Sequence, residues 1–159
     1  MLRWQWLFFP AMAWASKLQW QDCGLLADER GLEMLEYSHA PDPIVVGEPY
    51  SITRRFRLLL DRPIQNLTEK FWGYKQTGPA AWSPTFAPPV FSRCGAEQFQ
   101  TKCPLEPHAV FAFHEQHPGT HVVAAGKHKA IEHYFADGIF VGCGVVEYSY
   151  VAPNTTIML

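Results

Sequence analysis

The sequence predicts an all-β, immunoglobulin-like sandwich of two antiparallel sheets, on three observations. Short runs with period-two apolar alternation recur along the chain, Gly- and Pro-rich turns separate them, and no helical period outlasts a turn or two. At 159 residues the chain fits one domain, large enough to bury roughly two thirds of its unfolded surface. Aromatics at 14% against 18% charged residues argue for a large apolar interior and against disorder.

The first fifteen residues, MLRWQWLFFPAMAWA, read as a signal peptide. Arg3 is its basic region, Trp4 to Trp14 its apolar run, and Ala13-Trp14-Ala15 a small-x-small cleavage site before Ser16. The run is too short to span a bilayer. The mature domain is then 16–159, with its core at 20–151, in an extracellular or lysosomal lumen.

Gly31 to Tyr37 forms a first strand, ended by the Pro-broken SHAPDP, and Ile44-Val45-Val46 leads to a turn at Gly47-Glu48. The next strand places Tyr50, Ile52, Phe56, Leu58 and Leu60 on one face and Ser51, Thr53, Arg55, Arg57 and Asp61 on the other. Arg54 sits on the apolar face and breaks the pattern, which points to the mouth-facing end of the strand or to a bulge. Asn66 to Lys75 gives a further strand with Phe71, Trp72 and Tyr74. Between Gln76 and Pro107 stand six prolines, which argue against any regular element and for a long functional loop. Its aromatics Trp82, Phe86, Phe91 and Phe99 follow no period. Alternation resumes from Ala109 to Glu115, with Phe111 and Phe113 on one face, and stops at His117-Pro118-Gly119.

Residues 124–151 close the domain as a hairpin turning at Asp137-Gly138, a pair suited to the positive φ values of a type I′ turn. On its second strand Val146, Tyr148 and Tyr150 face inward, while Cys143, Glu147 and Ser149 face outward. Cys143 can therefore staple the sheet to a segment outside it.

In an oxidising lumen Cys23, Cys94, Cys103 and Cys143 read as two disulfides. Three pairings exist and spacing alone does not choose; Cys94 with Cys103, and Cys23 with Cys143, is the favoured one. A zinc site is disfavoured for want of any CxxC pair. Asn66-Leu67-Thr68 and Asn154-Thr155-Thr156 are N-glycosylation sequons, available in the same compartment.

No GxSxG, HExxH, phosphate-binding loop or redox CxxC occurs, so no enzyme, no cofactor and no metal site is expected. His114, His117 and His121 lie close in sequence but read better as a solvated turn. A formal charge of -2 with dispersed Lys and Arg excludes a nucleic-acid surface. Seven histidines could carry that charge to +5 in acid, drawing the protein to anionic membranes.

The order of these features resembles the ML-domain family of lipid-recognition proteins. The residues are Asp22-Cys23-Gly24, Pro41-Asp42-Pro43-Ile44-Val45-Val46, Cys94 to Cys103-Pro104, and GKHKAIEHYFADGIFVGC. The pattern is most similar to the ganglioside-activator branch, and it covers Trp20 to Val151. The resemblance implies two sheets splayed around a lipid, bridges Cys23–Cys143 and Cys94–Cys103, and no catalysis. It implies lipid-binding walls at Ile52, Phe56, Leu58, Leu60, Phe71, Phe111, Phe113, Val146 and Tyr148. Trp82, Phe86 and Phe91 would stand at the mouth, touching membranes transiently. Cargo could be a glycolipid, phospholipid or sterol, and the partner a lipid-processing hydrolase. The alternative is an accessory subunit of a cell-surface receptor.

Overall fold

A computed structural model describes residues 29–86, 90–97, 100–119 and 123–153. The expected signal peptide, Cys23, His121 and the Asn154 sequon lie outside the described residues, as does the side chain of Phe86. Nine strands follow one another: β1 (Leu32–Ala40), β2 (Ile44–Val45), β3 (Tyr50–Leu58), β4 (Leu67–Gln76), β5 (Trp82–Phe86), β6 (Val90–Ser92), β7 (Val110–His117), β8 (Gly126–Ala136) and β9 (Ile139–Val151). Among the described residues there is no helix. The fold is the all-β sandwich that the alternation predicts.

One sheet has the order β1-β3-β7, the other β2-β9-β8-β4-β5, with β6 also pairing β4. All pairings are antiparallel except β2 against β9, where Ile44 and Val45 run parallel to Tyr150 and Val151. The hairpin turns where expected, with Asp137 at φ 49 and Gly138 at φ 82. Asp137 also ties this turn to the β3–β4 connection: its Oδ1 accepts the amides of Gln65 and Asn66 at 2.9 Å, and its Oδ2 pairs with Arg62 at 2.8 Å.

The Pro-rich segment needs correction, because it contributes β5 and β6. Both lie along the outer edge of β4, and an edge strand supplies ladder bonds on one flank alone, so Pro84 is tolerated there. Arg54 also lies elsewhere than expected. It stands midway along β3, and the bulge is on the partner strand β1, between Met34 and Glu36. That extra residue switches the inward set of β1 from Leu32 and Met34 to Tyr37 and His39, so a ring faces Arg54 instead of an apolar chain.

Packing divides the interior. At one end of the sandwich Leu32, Phe56, Leu58, Ile64, Leu67, Leu105, Phe111, Phe113, Tyr134, Ala136 and Val141 make a closed core, against which Leu60 packs. Phe56 is its centre, fully buried, with ring centroids of Phe111 and Phe113 at 5.7 Å and of Tyr134 at 5.0 Å. Burying each such side chain is worth about 1.5–3 kcal/mol. The opposite end, reached by the same strands two residues further on, is not filled.

Cys94 and Cys103 are joined, and Cys94 Sγ accepts the amide of Leu67 at 3.1 Å. Cys143 is disulfide-bonded too and shares the outward face of its register partner His133.

Candidate functional site

A cavity of about 680 Å³ lies between the sheets at the unfilled end. The inward columns of the strands build it in layers. Tyr50, Lys75, Val123, Ala124, His128 and Tyr150 surround the outer end, where Tyr150 donates a hydrogen bond to the Tyr50 hydroxyl at 3.1 Å. Ile44, Ile52, Phe71, Gly73 and Tyr148 form the middle. Arg54, Glu69, Arg93 and Glu115 make the inner end, next to the closed core.

That inner end is a layer of buried ions. Arg54, 3% exposed, lies 3.2 Å from both oxygens of Glu69, 3.2 Å from Glu115 and 3.3 Å from Glu132. Arg93 Nε donates to Glu69 at 2.6 Å, and its Nη2 lies 3.1 Å from Glu115. The carboxylates come from three strands: Glu69 from β4, Glu115 from β7 and Glu132 from β8. Arg93 follows β6 and is held by its own backbone, its amide donating to Leu67 O at 2.8 Å and its carbonyl accepting from Thr101 at 2.7 Å. The guanidinium groups face aromatic rings, Arg54 over Tyr37 at 5.6 Å, and Arg93 over Phe91 at 5.4 Å and Phe113 at 5.2 Å.

Two carboxyls of this layer titrate in opposite directions. Burial foremost, and then Glu69, push Glu132 up to about 7, although Arg54 and the Tyr134 hydroxyl at 2.8 Å act against this. For Glu115 burial also raises the pKa, but Arg54, His117 and Arg93 outweigh it and hold the carboxyl at about 2. An unfolded Glu releases its proton near 4.5, so between that pH and about 7 the native state alone keeps the Glu132 proton. Stability contributed there falls as pH rises. Glu132→Gln removes the loss. The stability of this variant relative to the unaltered protein is therefore expected to improve from pH 5 to pH 8 by up to about 3 kcal/mol, at about 1.4 kcal/mol per pKa unit. Urea unfolding at the two pH values checks this, and a difference independent of pH rejects it.

Burial also holds the His39 imidazole at about 4 and lowers His128 and His133. The gain of charge between pH 7 and pH 5 is thus smaller than seven histidines suggest. His114 and His117 point to opposite faces of β7: His114 bonds Thr53 Oγ1 on the outside, while His117 stacks on Tyr50 in the cavity.

Of the residues expected to contact lipid, Ile52, Phe71, Phe91 and Tyr148 line the cavity. Phe56, Leu58, Leu60, Phe111 and Phe113 belong to the closed core, beyond the ion layer. Val146 is buried between the sheets but does not line the cavity. Trp82 is on the outer face of the larger sheet, under the Lys129 ammonium at 4.3 Å, and Phe91 lies beside Arg93 at the inner end instead of at the mouth. Sequence reasoning missed Glu69, Arg93, Glu115 and Glu132. Three of these carried a signal, since Glu69 shares its strand face with Leu67 and Phe71, Glu132 with Ala130 and Tyr134, and Glu115 with Phe111 and Phe113.

No protein-family model matches the sequence, and no curated protein sequence matches it. Solved structures do match. A Niemann-Pick type C2 protein from the Japanese carpenter ant superposes with TM-score 0.61 at 14% identity, covering 84% of this chain and 99% of that one. Chicken MD-1, solved in complex with lipid IVa, superposes with TM-score 0.50 at 12% identity, covering 84% of this chain and 90% of that one. The chain has the ML-domain fold. In this ML-type sandwich the interior is not uniformly apolar, because the ion layer separates cavity from core.

Proposed function

We propose that this protein is a lipid-binding member of the ML-domain family, acting in the secretory route, that holds one lipid between its sheets. The observation that carries the reading is the cavity, about 680 Å³ and walled by Ile44, Ile52, Phe71 and Tyr148. Its volume lies within the roughly 300–1,000 Å³ typical of small-molecule sites. Burying hydrocarbon there gains about 0.8 kcal/mol per CH₂, enough for tight binding without covalent chemistry. The fold shared with the Niemann-Pick type C2 protein and with lipid-bound MD-1 supports the same reading. So does the expected leader at 1–15, with Asn66 exposed on the β3–β4 connection for a glycan. Extraction or transfer of cargo, secretion or lysosomal delivery, and hand-over to a hydrolase or receptor extend this proposal.

Native mass spectrometry of protein purified from a eukaryotic secretory host tests it. Discrete lipid-mass adducts are expected, and weakened adducts in Phe71→Glu, which places a charge on the cavity wall. A bare mass after incubation with phospholipid, sterol and glycolipid vesicles overturns the reading.

A further inference from the structure

The inner end of the cavity is its most polar part. Arg54, Glu69, Arg93 and Glu115 line it, two guanidinium groups and two carboxylates whose formal charges cancel. Arg54 is buried, Glu69 is at 0% exposure, and both reach this layer from opposite sheets. The ions pair with one another and His117 Nε2 lies 3.6 Å from Glu115 Oε2, yet bonding capacity remains, because Arg54 Nε is buried without a hydrogen-bond partner.

A methyl-ended chain pushed to this depth would dry Glu115, the one of the four with appreciable exposure at 15%, and would return no hydrogen bond to it or to Arg54 Nε, which is costly for buried polar atoms. A carboxylate end would meet two carboxylates as well as two guanidiniums, and an ammonium end would meet two guanidiniums as well as two carboxylates. A hydroxyl is neutral and both donates and accepts, so it can bond an Arg N–H and a Glu oxygen together.

We infer that the cavity takes its lipid polar end first, seating a hydroxyl on the floor of Arg54, Glu69, Arg93 and Glu115 with the apolar body against Ile52, Phe71 and Tyr148. This rests on the lipid-binding reading and names its cargo as a neutral, hydroxyl-ended lipid. The outer end then needs no headgroup pocket, and cargo chemistry is read at the bottom of the cavity.

Three chains of equal length test it on the unaltered protein: 1-hexadecanol, its methyl ether and hexadecanoic acid, compared by competition at pH 7. The ether, which has lost the donor, is expected to bind about tenfold more weakly or worse, the loss of one hydrogen bond to a charged group. The acid is expected to bind more weakly than the alcohol. Equal affinity for alcohol and ether, or tighter binding of the acid, overturns the inference. A hexadecanol carrying a photoreactive diazirine beside its hydroxyl locates the polar end. Cross-links to Glu115, Phe91 or Arg93 are expected. Cross-links to Lys75, Val123 or Ala124 overturn polar-end-first entry and leave lipid binding standing. No complex with these chains or with any lipid vesicle overturns both.

Discussion

Arg54→Met is expected to lower the unfolding free energy by about 3–5 kcal/mol, the usual cost of removing one partner from a buried ion cluster. The guanidinium faces three carboxylates, and two of them, Glu69 and Glu132, have no exposed surface. Without it, Arg93 is the guanidinium left in the layer, and its ion pairs among the described residues are with Glu69 and Glu115. At pH 8 and above Glu132→Gln in the same chain should therefore restore part of the loss, because the amide cannot ionise where the carboxyl would, and Tyr134 can still bond it. A double-mutant cycle by urea unfolding reads that coupling. Strict additivity of the two substitutions, or a cost under about 1 kcal/mol for Arg54→Met, as for exposed ion pairs, contradicts the account of the layer as a buried network.

Phe56→Ala should cost a similar amount, about 3–5 kcal/mol, through an entirely different mechanism. Its ring is enclosed by Phe111, Phe113 and Tyr134, which belong to β7 and β8, so neither sheet can collapse into the space left behind. Ile52, four residues earlier on the same face of β3 and beyond Arg54, borders the cavity. Ile52→Ala is expected to cost clearly less stability and to weaken lipid binding, while Phe56→Ala leaves lipid affinity unchanged in the folded fraction. Paired measurements of urea midpoint and lipid affinity test this contrast. Equal destabilisation by both substitutions would mean that the interior is one continuous core.

The contrast between neighbouring positions explains why the site was harder to read than the fold. Period-two alternation showed that Ile52 and Phe56 face inward, and they do. The same alternation also put Glu69, Glu115 and Glu132 inward. Apolar expectation hid them, although Arg54 on the same kind of face called for counter-ions. Phe111 and Phe113 alternate on β7 as wall residues would, yet of the three it is Phe91, from the segment without a period, that lines the cavity.

By itself the sequence determined the all-β class, the inward faces of β3 and β9, and the hairpin at Asp137-Gly138. Each depends on residues within a few positions of one another. Tertiary structure decided the rest. The pairing of Arg54 with Glu69, Glu115 and Glu132 depends on the register of strands from two sheets, and on a single bulge in β1 that turns Tyr37 toward the guanidinium. The boundary between closed core and open cavity depends on how far apart the sheets stand at each level. Neither quantity is encoded by local period, since both arise when side chains distant in the chain meet across the sandwich.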